Sequence, residues 1–180
     1  MDRDELARKL VEVAYLEGDF VLASGRRSRY YFDKYLFETR PELLEPVAEL
    51  LAARIPAGTQ RIAGPELGAV ALAAAASIKS GLPSLFIRGA AKAYGTAKRI
   101  EGPYTAGESV VVFEDVVTSG GSAIEAAKVL TEAGCKVSRI VAVIDREEGG
   151  VEAARAAGYE LEGLFTKTEL ERWLQPGTGK

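Results

Sequence analysis

From position 61 onward, short apolar runs alternate with alanine-rich segments, and no other feature narrows the fold as much. The runs fall at Arg61–Ala63, Leu85–Ile87, Val110–Phe113, Ile140–Ile144 and Leu161–Phe165. Helical stretches at 68–80, 122–133 and 151–157 separate most of them. A run without polar alternation suits a strand buried on both faces. Strand–helix–strand units of this length pair in parallel through right-handed crossovers. The expectation is an α/β fold, a parallel sheet flanked by helices. A chain of 180 residues suits one domain.

The first forty residues follow another rhythm. Residues 4–16 read as an amphipathic helix with Leu6, Leu10, Val13 and Ala14 on one face and Gly18 as its stop. Phe20-Val21-Leu22 and Tyr30-Tyr31-Phe32 flank Ser24–Ser28, the pattern of an antiparallel hairpin. Thr39-Arg40-Pro41-Glu42 reads as a capping box opening a helix with Leu43, Val47 and Leu51. Thr166-Lys167-Thr168-Glu169 reads as another, ahead of Leu170, Trp173 and Leu174, whose expected role is packing. The tail from Pro176 to Lys180 reads as disordered.

Composition removes whole classes of chemistry. There is no histidine, so Ser-His-Asp and Cys-His catalysis and histidine-ligated zinc are excluded. The single cysteine, Cys135, allows no intrachain disulfide and reads as a buried, inert thiol. A net charge of −3 argues against general nucleic-acid binding. The longest apolar stretch, 69–76, is far shorter than the ~20 residues of a membrane span. The charged start MDRDELARKL has no apolar signal region, so the expected location is the cytoplasm.

One segment breaks the alternation. Arg88–Gly102 has no apolar periodicity and carries Arg88, Lys92, Lys98 and Arg99. Connections of this length are functional or disordered. The segment reads either as a solvated loop or as a cationic lid over an anionic substrate.

The densest chemistry lies in Val110-Val111-Val112-Phe113-Glu114-Asp115-Val116-Val117-Thr118-Ser119-Gly120-Gly121-Ser122. A strand runs into two carboxylates, then a hydroxyl-rich glycine loop, then a helix. Ligands of open parallel sheets bind outside the carboxyl ends of the strands. The glycines admit close backbone approach, and the helix start offers free N–H groups and a positive dipole end to an anion. The loop matches neither GxxxxGK[ST] nor GxGxxG. Glu114-Asp115 reads either as a polar strand end beside a cap or as a pair of acceptors for ligand hydroxyls. A ribose 5-phosphate satisfies the second reading, with its phosphate on the loop.

This segment resembles the phosphoribosyl-pyrophosphate (PRPP) motif of the type I phosphoribosyltransferases. Within that superfamily the chain resembles the orotate phosphoribosyltransferases over nearly its whole length. Phe20–Phe37 resembles the family's N-terminal hood hairpin, Gly64-Pro65-Glu66-Leu67-Gly68 its pyrophosphate-side loop, and Arg88–Gly102 its lid. Asp145-Arg146-Glu147-Glu148-Gly149-Gly150 resembles the turn that meets orotate. The resemblance implies one domain over 1–180, with a hood of 1–38 plus the C-terminal segment and a core over about 40–165.

The resemblance also implies roles. Glu114 and Asp115 would hold the ribose hydroxyls, Thr118 through Ser122 would hold the 5-phosphate, and Val116 and Val117 would belong to the same PRPP-binding stretch. Thr118 would lie near orotate too, Arg146 would meet the base, and Tyr31 and Phe32 would wall its pocket. Arg88, Lys92 and Tyr94 would face pyrophosphate, in a homodimer whose lids serve the partner's site. Mg2+ would travel with PRPP rather than in a protein-made cage. Lys92 and Asp115 would carry catalysis by charge stabilisation without a covalent nucleophile. The family's lid commonly reads Arg-Lys-Glu-Ala-Lys with a histidine two residues on; here Gly89 replaces one lysine and Tyr94 the histidine. That departure motivates one rival, a PRPP-sensing protein on the same fold; a transferase for another base is a second, against which the hood hairpin and the Asp145–Gly150 turn argue. From the residues alone, Arg146 reads as a surface arginine paired with Glu147 or Glu148, Tyr30-Tyr31-Phe32 as hood packing, and Arg26, Arg27 and Arg29 as a solvated face.

Overall fold

The computed structural model describes residues 1–21, 25, 27–89 and 98–174. Helix α1 (Arg3–Ala14) leads into a hairpin of β1 (Tyr15–Val21) and β2 (Arg27–Phe32), followed by α2 (Tyr35–Glu38) and α3 (Pro41–Ala52). The alternating part then runs β3 (Arg61–Pro65), α4 (Glu66–Ser80), β4 (Ser84–Ile87), β5 (Ile100–Glu101), β6 (Ser109–Val117) and α5 (Gly121–Glu132). It closes with β7 (Lys136–Asp145), α6 (Gly150–Ala156), β8 (Leu161–Thr166) and α7 (Lys167–Glu171).

The main sheet has the order β5-β4-β3-β6-β7-β8, parallel except for the short edge strand β5. After β3 the chain moves outward to β4, then returns to lay β6 on the other side of β3. The order therefore reverses between β3 and β6, the place where α/β sheets open a ligand crevice.

Successive residues of β6 serve opposite layers. Val111 and Phe113 join the core beneath α1, α3 and α4, with Leu6, Leu10, Phe37, Leu72 and Phe165. Val110 and Val112 join the core beneath α5 and α6, with Leu85, Ala126, Leu130 and Ile140. Each large side chain so buried contributes about 1.5–3 kcal/mol, and this double burial is what the unalternated runs encode.

Three local expectations are corrected. Helix α1 stops at Ala14, because Tyr15 is already extended and stacks on Tyr30 at 5.5 Å; Gly18 lies within β1. Thr39 does not cap α3: it is the C-cap of α2, its hydroxyl donating to the Tyr35 carbonyl, and α3 starts from Arg40 without a side-chain cap. Strand β6 runs past both acids to Val117, since Glu114 pairs with Ala142 and Val117 with Asp145. The second capping box forms as read, with Glu169 N donating to Thr166 Oγ1 and Thr166 N to Glu169 Oε2. Trp173 keeps 36% of its surface exposed and packs less than its size suggests. Cys135 is buried, which pushes its thiol pKa up. The tail from 175 lies outside the described residues.

Candidate active site

Glu114 and Asp115 lie in the last turn of pleat of β6, and both are buried, at 5% and 4% exposure. Glu114 Oε1 accepts from Asp115 N at 3.2 Å, while Oε2 is buried without a hydrogen-bond partner. Burial first, and then the Asp115 charge, push the Glu114 pKa up; the hydrogen bond from the Asp115 backbone and the Lys34 charge oppose them. Asp115 Oδ1 accepts from Val116 N at 2.5 Å, and Oδ2 accepts from Lys34 Nζ, also at 2.5 Å.

Just beyond the acids, Thr118–Gly120 turns the chain into α5. Gly120 is the N-cap, at φ 78, a left-handed conformation that L side chains adopt at a cost of about 1–2 kcal/mol. A Cβ there would also lie 3.1 Å from the Gly150 carbonyl oxygen. Glycine satisfies both demands. Ser119, Gly121 and Ser122 are exposed, so the amide end of a twelve-residue helix opens to solvent beside the buried acids. Free N–H groups and the helix dipole favour an anion here.

Across the crevice stands a cleft of about 390 Å³, lined by Glu66, Arg88, Gly89, Arg99, Ser122 and Glu125, among others. Arg88 Nε donates to Glu101 at 2.9 Å. Arg99 donates to the carbonyls of Arg88 and Gly89 and pairs with Glu125 at 2.8 Å. These bonds clamp the two ends of the segment expected to form the lid. Glu66 has φ 54, uncommon for a residue with a side chain, and its carboxylate fills the space a Cβ of Gly89 would enter. Lys92 and Tyr94 lie outside the described residues. A second cavity, of about 290 Å³, involves Arg139, Arg155 and Tyr159 near the opposite ends of β7 and β8 and is remote from these groups.

Arg146 follows β7 and is 3% exposed, so it is no surface arginine. It does pair with Glu148, at 2.8 Å. It also donates to Tyr30 Oη and Ser28 Oγ, each at 3.2 Å, with its guanidinium 4.4 Å from the Tyr30 ring centroid. The hood hairpin thereby closes over the β7–α6 turn. Tyr31 and Phe32 separate: Phe32 enters the core edge-on to Tyr15, whereas Tyr31 is half-buried against Phe20. Arg29 is solvated and pairs with Asp19 at 3.5 Å. Arg26 lies outside the described residues.

The fold thus brings Glu114, Asp115 and Val116 through Ser122 to one crevice, places Arg88 across it, and sets Arg146 under the hood. Sequence reading missed Lys34 and Glu38. Glu38 is buried within electrostatic reach of the same acids with Oε1 unpartnered, and its pKa is raised to about 8 by burial and by the Asp115 charge. The local sequence signals neither, because their partners lie far along the chain.

A doubly wound sheet that carries paired acids and a glycine-hydroxyl loop at its switch point has the architecture of a phosphoribosyltransferase. The family model described as phosphoribosyl transferase domain matches residues 37–156. An orotate phosphoribosyltransferase of Methanocella arvoryzae is 50% identical over 153 residues, 85% of this chain and 87% of that protein. The crystal structure of orotate phosphoribosyltransferase from Aeropyrum pernix has a TM-score of 0.82 at 30% identity, covering 93% of this chain and 96% of that one. That of Mycobacterium tuberculosis orotate phosphoribosyltransferase in complex with PRPP has a TM-score of 0.77 at 28% identity, covering 95% and 99%. The chain belongs to the phosphoribosyltransferase family and, within it, to the orotate phosphoribosyltransferases.

Proposed function

We propose that this chain transfers the 5-phosphoribosyl group of PRPP to N1 of orotate, giving orotidine 5'-monophosphate and pyrophosphate. One observation carries the reading: β6 delivers two buried carboxylates to the mouth of the α5 amide cradle, so hydroxyl acceptors and an anion site stand side by side. That pairing suits a sugar phosphate better than a phosphate alone. The relatives' shared identity as orotate enzymes supports the enzyme over a PRPP sensor or a transferase for another base.

In this reading Glu114 and Asp115 accept from the ribose hydroxyls, Thr118, Ser119, Gly120, Gly121 and Ser122 hold the 5-phosphate, and Val116 and Val117 link the two within the PRPP-binding stretch. Arg88, Lys92 and Tyr94 face pyrophosphate. Arg146, Thr118, Tyr31 and Phe32 serve the base. As the C1–oxygen bond breaks, positive charge grows on the ribose and negative charge on the leaving group. Asp115 faces the first and Lys92 the second, so stabilisation is electrostatic and needs no nucleophile. Mg2+ would arrive with PRPP rather than in a protein-made cage, which leaves Glu114 and Asp115 to the ribose hydroxyls. When bound, Mg2+ neutralises diphosphate charge.

The reading extends to a cytoplasmic homodimer in which each lid serves its partner's site. No described helix is long and apolar enough to cross a membrane. The test is loss of orotate absorbance with purified protein. Loss that requires both PRPP and Mg2+ is expected; no loss in the presence of both refutes the proposal.

A further inference from the structure

Three elements far apart in sequence meet at Asp115, and one of them brings a cation. Lys34 is the N-cap residue of α2, at the end of the hood, and its side chain is 25% exposed. Its ammonium donates to Asp115 Oδ2 at 2.5 Å. Gly68, in the first turn of α4, makes the room: a Cβ there would collide with Asp115 Oδ2 and lie 3.0 Å from both Cε and Nζ of Lys34. Four residues on from Lys34, Glu38 sits close enough for its carboxyl to feel the charges of Asp115, Glu114 and Asp33.

Buried carboxylates this close together cannot all carry charge without a partner. Burial pushes Glu38 and Glu114 toward their neutral forms. For Lys34, burial acts against the charged form, but the Asp115 charge and hydrogen bond outweigh it and raise the pKa. Lys34 is therefore a charged partner at neutral pH, and the partner it has chosen is Asp115. The pair is better shielded from water than a surface ion pair, and breaking one side of such a pair leaves a buried charge uncompensated.

We propose that Lys34 is a positioning residue for the transfer reaction: its ammonium holds Asp115 in place as the acceptor of the ribose hydroxyls and ties the hood to the acid pair. This rests on the phosphoribosyl-transfer reading above. Lys34 touches no substrate in this account; it acts through Asp115. Gly68 belongs to the same device, because the pyrophosphate-side loop must leave the space that the ion pair fills.

The test compares Lys34→Met and Lys34→Arg with the wild type, varying PRPP and orotate separately and measuring PRPP–Mg2+ binding by calorimetry. Lys34→Met is expected to raise KM and Kd for PRPP about tenfold, equivalent to one lost interaction of ordinary size. The orotate KM is expected to stay within about twofold, and Lys34→Arg to recover most of the PRPP affinity. A PRPP affinity unchanged in Lys34→Met overturns the proposal. So does a loss shared equally by both substrates that Lys34→Arg does not rescue, which marks a merely structural lysine. If Lys34→Met does not fold, Lys34→Gln is read by the same calorimetry against the same expectations. Wild-type protein that binds PRPP without consuming orotate refutes the orotate reading alone, and the Lys34 comparison then stands on PRPP affinity. Wild-type protein that does not bind PRPP refutes both.

Discussion

At the β6–α5 turn the groups that face an anion are backbone amides and hydroxyls, held by a helix end and a left-handed glycine. Across the crevice, at the ends of β4 and β5, they are guanidinium groups that already have partners: Arg88 on Glu101, and Arg99 on Glu125. The first side is preorganised and exchanges nothing on binding. The second must trade one carboxylate for a ligand. The Arg88–Glu101 pair is substantially exposed, at 49% and 31%, and such pairs are worth about 0–1 kcal/mol. The trade is therefore cheap. In the proposed reaction this is a division of labour: a rigid side that would fix the sugar phosphate and an exchangeable side that would receive and release the leaving group.

The sharpest way to break this division is Asp115→Asn. It keeps the shape of that side and removes the Asp115 charge, so kcat/KM is expected to fall by about 10²–10³, and the melting temperature is expected to fall as well because the Lys34 ammonium loses its partner. Unchanged turnover would remove Asp115 from the ribose. In the proposed mechanism Lys92→Ala is expected to lower kcat by about 10²-fold with a much smaller change in PRPP KM, because Lys92 would act on charge that develops only as the bond breaks. Steady-state kinetics in both substrates separates the two. Mixing Lys92→Ala with Asp115→Asn should restore activity through hybrid sites; no restoration, with subunit exchange confirmed, would confine each lid to its own subunit.

A smaller effect concerns stability. The Glu38 pKa is raised to about 8 in the folded chain, so the fold holds a proton that the unfolded chain has released. Stability from this group is full below the ordinary carboxylate range and is lost as pH rises toward about 8. Glu38→Gln mimics the neutral form and should flatten that decline. At pH 9 it is expected to melt at least ~3 °C above wild type, the shift of about 1 kcal/mol in a chain of this size. Parallel melting curves across pH 5–9 would refute the assignment. The smallest effect tests the exchange itself. Glu101→Gln removes the competitor for Arg88 and should lower PRPP KM by about twofold, within the range of an exposed pair; a rise would mean that Glu101 orients Arg88 rather than competing for it.

Much of this protein is legible along the chain. The unalternated runs announce strands covered on both faces, and the order of runs and alanine-rich helices announces the parallel sheet. The acids, hydroxyls and glycines of 114–122 are readable because strand end, loop and helix start are contiguous, so one stretch of sequence carries the whole geometry. Boundaries were less legible. Tyr15 leaves α1 for an aromatic partner in β2, and Thr39 bonds backward into α2, both through contacts that no local pattern encodes.

Sequence by itself therefore determined the layered sheet and the acid–loop motif, because periodicity and loop chemistry act over neighbouring residues. Only the tertiary structure decided that Arg146 is buried beneath Tyr30 and Ser28, that Phe32 enters the core while Tyr31 does not, and that Lys34 and Glu38 meet Asp115. The charge state and orientation of those groups follow from burial and from partners brought close by chain crossings, and neither quantity exists until the chain has folded.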